Sequence, residues 1–369
     1  MDEDAVRGLR VAVVHERFTE LGGAERCVEE LHRLWPAAVV HAAVVDRSIL
    51  PAGLRTAEIR PTRLQRLYRG GPSYAHLLPL LAGSMRRIDV GDVDVVIASH
   101  HAFSNRIRPR KGIPVVSYTY TPARWLWEPA MRAVESERAS ARVALAAFAA
   151  TQRAADRNAA HRASGVIACS RHAAARVARY WGLKATVVHP PVDVRFFTRD
   201  DTVPRESFFL VAGRLVPYKR VDEAITAARI AGVRLVVAGD GRDRARLEAT
   251  AGPNTEFLGA VNDETLRSLY RRCRALVFPG DEDFGLVPVE AQACGAPVIA
   301  RGVGGALDSV VDGVTGVLYD PTAAQSLTLA LRHFAPERFD AERARTNAER
   351  FSSERFQTEF LSATARALT

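Results

Sequence analysis

Two glutamates, Glu282 and Glu290, stand eight positions apart in the stretch EDFGLVPVEAQACGAPVI, with a glycine turn between them. Ala275 to Phe278 (ALVF) reads as a short buried strand and Pro279 to Gly285 carry turn chemistry, so a helix is expected to open near Leu286. Glu282 then falls in the loop above that helix and Glu290 in its first turns, which aims both acids at one pocket. The backbone N–H groups of Phe284, Gly285 and Leu286 have no helical partner at such a start, where the positive dipole end attracts phosphate or sugar oxygens. An acid pair beside an anion site suits a sugar joined to a diphosphate. A helix cap with a surface glutamate would leave the same spacing, so other residues must decide.

Cations stand in GRLVPYKR, Gly213 to Arg220, directly after a second apolar run. The guanidinium of Arg214 and the ammonium of Lys219 can neutralise the two charges of a departing diphosphate, with no metal required. A basic loop held by surface carboxylates is the plain alternative. Gly239 and Gly241 follow a further run, and Leu258 and Gly259 close the next; their backbone groups could hold a nucleobase edge, although turn glycines look the same. Near the start, Gly22 and Gly23 precede a helical pattern opening at about Ala24. The loop lacks both the GxGxxG spacing of a dinucleotide fingerprint and the GK[ST] of a P-loop, so as a phosphate cradle it is weak taken alone.

The elements that must position these groups repeat along the chain. Apolar runs at 11–15, 39–45, 93–98, 115–118, 165–169 and 186–189 alternate with helix-like stretches, and the pattern restarts with runs at 208–212, 234–238, 255–258, 275–278, 298–300 and 316–319. Continuous apolar runs of this length are buried on both faces, as parallel strands are. The expected fold is α/β, with two tandem doubly wound Rossmann-like domains facing a cleft. The expected domains are residues 1–190 and 191–351, followed by a segment 352–369 that reads as a helix.

With 369 residues the chain exceeds what one core usually supports. Four cysteines without CxxC or Cys/His spacing argue for reduced thiols, no zinc site and a cytoplasmic location. No apolar run reaches the ~18 residues that span a bilayer. The charge is uneven: residues 1–190 hold 28 Lys and Arg against 17 Asp and Glu, a net +11, and the remainder is at −2. That excess suits an anionic surface, or it reflects an Ala- and Arg-rich composition. Arg138, Arg142, Arg153 and Arg157 fall within about 100° on a helical wheel beside VALAAFAA, a face for an anionic membrane or simply a solvated one. No helix-turn-helix or RNA-binding signature accompanies the basic half, which excludes nucleic acid as the expected partner.

The ordered set GGAE (Gly22 to Glu25), GRLVPYKR, AGDG (Ala238 to Gly241), FLG (Phe257 to Gly259) and Glu282-x7-Glu290 resembles the retaining GT-B nucleotide-sugar glycosyltransferases of family 4. PPVD before the second domain and SYTYTPARWLWE, Ser117 to Glu128, look most like bacterial mannosyltransferases that use GDP-mannose. The resemblance implies that Arg214 and Lys219 grip the donor diphosphate, Glu282 binds donor-sugar hydroxyls, and Glu290 accepts hydrogen bonds from the ribose. It further implies that the amides of Phe284, Gly285 and Leu286 touch sugar or phosphate oxygens, that residues 1–190 bind the acceptor and 191–351 the nucleotide-sugar, and that the helix in 352–369 crosses back to the first domain. Gly22 and Gly23 would let backbone approach the phosphates and the acceptor. The subgroup usually carries histidine where this chain has Tyr120, and a phenol near pKa 10 is a poor proton acceptor at neutral pH. Tyr120 then positions the sugar, or that place never held the base; His101 matches a subgroup histidine and is the other candidate. The implied reaction moves mannose to a hydroxyl of a lipid-linked or polysaccharide acceptor without cofactor, in the cytoplasm or on the inner membrane face. A UDP-sugar donor, an epimerase on the same fold and a non-catalytic donor-binding scaffold are the rival readings.

Overall fold

The computed structural model describes residues 1–135 and 139–369. It divides into two compact units, Met1–Pro191 with Glu354–Thr369, and Val192–Ser353.

In the first unit β1 (Val11–His15) is followed by β2 (Arg17–Phe18), β3 (Val39–Ala42), β4 (Val44–Val45), β5 (Ile59–Pro61), β6 (Val95–His100), β7 (Val115–Thr119), β8 (Gly165–Ala168) and β9 (Thr186–Val187). Seven of them make one parallel sheet in the order β5-β3-β1-β6-β7-β8-β9. Every residue of β1 and β6 is buried, which is why those runs lack polar alternation. The apolar run at 39–45 does not stay in this sheet. Ala43 N–H donates to the Glu16 carbonyl at 3.0 Å, and β4 leaves to pair with β2. The run at 93–98 begins two residues later than its apolar pattern, at Val95, because Asp94 is drawn onto Arg10 at 2.7 Å. At its other end the strand runs past the apolar pattern to Ser99 and His100, which pair with β7.

The second unit holds β10 (Phe209–Ala212), β11 (Leu235–Ala238), β12 (Thr255–Gly259), β13 (Ala275–Phe278), β14 (Val298–Arg301) and β15 (Gly316–Tyr319). They form a parallel sheet ordered β12-β11-β10-β13-β14-β15. Its core packs Phe209, Val211, Val237, Val277 and Ile299 against Val221, Ile225, Leu327 and Leu331 of two helices. At this scale each fully buried aliphatic side chain stabilises by about 1.5–3 kcal/mol before entropy is set against it.

The terminal helix Ser353–Leu368 belongs to the first unit. Phe356 and Phe360 meet Tyr118 edge-on at 5.7 and 5.6 Å, and Phe360 also meets Trp35 at 6.2 Å. Gly165 admits the end of this helix: a Cβ there would lie 2.4 Å from the Ala367 methyl.

Strand order reverses between β1 and β6 in one sheet, and between β10 and β13 in the other. Loops leaving the carboxyl ends of such strand pairs splay apart, so each pair marks where a doubly wound sheet receives ligands.

Candidate functional site

In the second unit the loop after β10 brings Lys219, in the short turn Pro217–Lys219, and the loop after β13 brings Glu282. Lys219 Nζ lies 2.7 Å from Glu282 Oε1, with the two side chains only 15% and 19% exposed. Burial pulls the ammonium's pKa down and the Glu282 carboxylate outweighs it, so the net shift is upward and Lys219 stays charged. Arg214 is exposed in the same loop, its guanidinium donating to the Tyr218 hydroxyl at 3.4 Å.

The glycines here are demanded by backbone approach. Gly239, at φ 154°, would place a Cβ 1.9 Å from the Gly213 carbonyl, and a Cβ on Gly241 would lie 2.3 Å from that of Leu215. Both sequence expectations for them, turn and contact surface, leave out this constraint: the loops after β10 and β11 press directly on one another. Gly213 N–H donates to Ala238 O, and Gly239 N–H to Gly259 O. Leu258 is exposed beside Gly259.

A helix opens at Leu286 and runs to Ala293. Gly285 precedes it at φ 86°, held against the Phe278 ring, while Phe284 is buried and packs on Phe351 at 5.4 Å. Gly305 N–H donates to the Glu282 carbonyl at 2.8 Å and so fixes the backbone of that acid. Glu290 is the fifth helical residue, in the second turn, and is 6% exposed. Its Oε2 accepts from the Tyr270 hydroxyl at 2.9 Å. The two acids of the motif thus have different partners, a cation for Glu282 and a phenol for Glu290.

Sequence reasoning missed Glu223. Its carboxylate accepts from Arg220 Nε at 2.7 Å, Arg301 Nη1 at 2.9 Å and the Tyr319 hydroxyl at 3.1 Å. Arg220 follows Lys219 at φ 54°, a left-handed conformation that a non-glycine residue resists. Arg301 ends β14 just before the glycines that touch Glu282. Glu223 therefore braces the backbone beneath both members of the ion pair, beside a cavity of about 370 Å3 lined by Arg220, Tyr319 and Gln325. The i, i+3 spacing of Arg220 and Glu223 at a helix start was the available signal.

In the first unit Gly22 caps the helix Gly23–Leu34, and its N–H donates to Glu25 Oε2 at 2.9 Å. Glu25 Oε1 lies 3.4 Å from His15 Nε2, and His15 Nδ1 lies 3.0 Å from Ser99 Oγ. Burial raises the Glu25 carboxyl's pKa, but its His15 hydrogen bond and other contacts win, and the net shift is downward. Tyr120 OH donates to the Ala24 carbonyl at 3.0 Å and meets Ser99 Oγ at 2.9 Å. Burial, and then nearby Cys27, hold that phenol well above its ordinary pKa. Tyr120 is thus a neutral donor clamping the helix start behind the glycine loop, in keeping with the expectation that a phenol is a poor proton acceptor here. His101 is 22% exposed, and Arg17 Nη1 donates to its Nε2 at 2.8 Å, while Arg17 also covers the Tyr74 ring at 4.2 Å. His15, Ser99, Arg17 and Glu25's second bond were not legible, because they converge only when β1 lies beside β6.

The basic helical face is only partly as expected. Helix Ala139–Ala160 holds Arg153 and Arg157 in place through the carbonyls of Leu126 and Tyr180, at 3.0 and 3.1 Å. Arg142 is exposed, as is Val143, and Arg138 lies outside the described residues. Among the described residues no helix is long and apolar enough to cross a membrane. All four cysteines are buried and outside disulfides.

Two parallel sheets whose charged and glycine loops gather at their reversal points define a GT-B fold. Residues 21–196 match the family model Glycosyltransferase Family 4, and residues 196–351 match Glycosyl transferases group 1. Together the two models cover residues 21–351 of the chain. The D-inositol 3-phosphate glycosyltransferase of Mycobacterium sp. (strain KMS) is 38% identical over 155 residues, 36% of this chain and 35% of that protein. The Mycolicibacterium smegmatis protein of the same name is 37% identical over 155 residues, with 36% of each chain covered. The match spans about a third of the length of these curated relatives. Among solved structures, sucrose-phosphate synthase of Thermosynechococcus elongatus superposes with a TM-score of 0.73 at 18% identity, over 97% of this chain and 99% of that one. Anabaena Alr3699/HepE in complex with UDP-glucose gives 0.67 at 20%, over 97% and 99%. At such identities the likeness establishes the fold.

Proposed function

We propose that the chain is a retaining glycosyltransferase that moves a sugar from a nucleotide-sugar to an acceptor hydroxyl. The observation that carries this reading is the Lys219–Glu282 pair, raised on loops after β10 and β13 at the reversal point of the second sheet. The ammonium takes charge from the departing diphosphate, and the carboxylate accepts from donor-sugar hydroxyls once the sugar is bound. Arg214 adds a second cation in reach of the same loop. With both motif acids engaged in binding, the acceptor oxygen attacks C1 on the face from which the phosphate leaves. The C1–O bond to phosphate breaks, the acceptor O–C1 bond forms, and the acceptor proton passes to the phosphate oxygen. Positioning and charge stabilisation are the protein's share.

The motif forms EDFGLVPVEAQACGAPVIA and SYTYTPARWLWE support GDP-mannose as donor, with a lipid-linked or polysaccharide acceptor. A UDP-sugar is the second reading, favoured by the structural neighbour that holds UDP-glucose. The net +11 of the first 190 residues and exposed Arg142 support contact with an anionic membrane. Thermal shift with GDP-, UDP- and ADP-sugars separates the donors, because a ligand bound only to the folded state raises Tm. A shift with UDP-sugars alone overturns the mannose assignment, and donor binding without transfer to any acceptor overturns the enzyme reading.

A further inference from the structure

Loops entering three neighbouring strands, β6, β7 and β8, lie side by side at the amino edge of the first sheet, opposite the edge where its reversal point opens. Val96 N–H donates to Pro114 O at 3.0 Å and Ser164 N–H to Val115 O at 2.8 Å, which draws the three entries together. Arg86 leads toward β6 from the end of the helix Leu78–Met85, Arg108 precedes β7, and Arg162 follows the helix Ala139–Ala160 into β8. All three are exposed. Many exposed arginines of this chain end on a carboxylate, as Arg10, Arg234 and Arg272 do at 2.6, 2.8 and 2.8 Å. Arg162 instead feels Arg108 and Arg86, which, after burial, push its pKa down. The acids on the loop before β6 are already engaged: Asp89 lies 3.9 Å from Arg110, and Asp92 and Asp94 hold Arg10 at 2.6 and 2.7 Å.

Arg106 adds a second, independent observation. It lies in the turn Ser104–Arg106, which packs against both of these helices, and is 1% exposed. Its Nη2 donates to Gln152 O at 3.1 Å, while Nε and Nη1 have no partner among the described residues. Asp156 faces its charge, but one oxygen of that carboxylate is taken by the indoles of Trp127 and Trp181 at 2.8 and 2.7 Å. Unsatisfied buried donors are rare enough to call for a cause, such as an ion nearby. Cations suit helix C-termini, which accounts for Arg86 and Arg162 singly. It does not bring Arg108 to them, where three like charges repel.

We propose that Arg86, Arg108 and Arg162 form a binding site for the phosphate group of a small soluble phosphate ester, apart from the donor site. A phosphate dianion offers oxygens to several guanidinium forks at once, and its charge relieves the repulsion among them. The six residues of β6 span about 20 Å between this edge and the reversal point, so the ligand takes no part in the chemistry of transfer. A lipid headgroup held here would turn the reversal-point loops of the first unit away from the bilayer, which favours a soluble ligand.

The test is calorimetric titration of the full chain with inorganic phosphate and with glycerol 3-phosphate at constant ionic strength, beside capture on phosphatidylglycerol vesicles. The wild type is expected to bind the soluble phosphates with a Kd of about 1 mM or tighter. Arg108→Gln with Arg162→Gln should weaken that binding by about 10-fold or more and leave transfer unchanged. Because the donor site also attracts phosphate, the titration is repeated in Lys219→Met, which should keep the response at the arginine cluster. Arg108→Glu should raise the melting temperature in phosphate-free buffer and abolish the response, since its carboxylate takes the ligand's place. Equal phosphate affinity in the wild type and the double glutamine variant overturns the inference, as does a wild type that binds neither phosphate. Capture on the vesicles without binding of either soluble phosphate overturns it in favour of a lipid headgroup.

Discussion

Lys219 Nζ and Glu282 Oε1, from loops after two adjacent strands of the second sheet, stand 2.7 Å apart with little solvent access. A pair in this setting gives the loops a common geometry before any donor arrives. It also leaves each member exposed to a penalty if the other is lost, because the survivor is a part-buried charge without its partner.

Lys219→Met is therefore expected to abolish measurable transfer and to lower stability by about 1–3 kcal/mol. Lys219→Met with Glu282→Leu should recover much of the stability and none of the activity. Chemical denaturation paired with a transfer assay checks both, and an active double variant would remove the pair from the site.

Glu223 has no direct contact with the ion pair, yet three donors end on it. Glu223→Ala strands the Tyr319 hydroxyl, the Arg301 guanidinium and the left-handed Arg220 together. We expect a loss of about 2–4 kcal/mol and slower transfer. Unchanged melting would show that the brace carries no strain.

Gly239 and Gly313 both have positive φ, at 154° and 71°, but only Gly239 is hemmed in by backbone. Gly313→Ala should cost about 1–2 kcal/mol, the ordinary left-handed penalty. Gly239→Ala should prevent the second unit from folding, because the carbonyl 1.9 Å from its Cβ is backbone of Gly213, whose own N–H is bonded to Ala238 O. Expression and circular dichroism of the two variants side by side separate these outcomes.

Tyr120→Phe should leave the pH profile of transfer unchanged, since its phenol is a neutral donor throughout the working range. The cost is about 1 kcal/mol of stability, for one buried hydrogen bond to Ala24. A profile that loses its basic limb would make Tyr120 a proton carrier and overturn this reading.

Acid should unfold the first unit through His100. Burial takes this imidazole down to about 3, with the neighbouring Glu16 opposing, and its ordinary value is near 6.5. The folded state keeps the ring neutral while the unfolded chain protonates it, so stability is full above pH ~6.5 and falls as pH drops toward the folded value. By pH 4 the loss is about 3 kcal/mol. His100→Asn, which keeps an acceptor near the place of Nδ1, should flatten that slope in urea titrations across pH 4–7.

Sequence by itself determined the two parallel sheets, because strands buried on both faces must read as unbroken apolar runs, and β1, β10 and β13 do. It also marked Gly22, Gly213, Lys219, Glu282 and Glu290 as chemically loaded loops and helix starts, since strand-end glycines and paired charges are local signals. Partner choice was beyond it. Which carboxylate Lys219 meets, that Tyr270 reaches Glu290 from 20 residues away, that Glu223 gathers three donors and that Tyr120 clamps Ala24 all depend on strand order. Strand order is a property of the packed sheet, where β13 lies against β10 and β6 against β1, and local periodicity carries no record of it. The same packing gave Gly239 its role, because the atom that forbids a side chain there belongs to a loop 26 residues earlier.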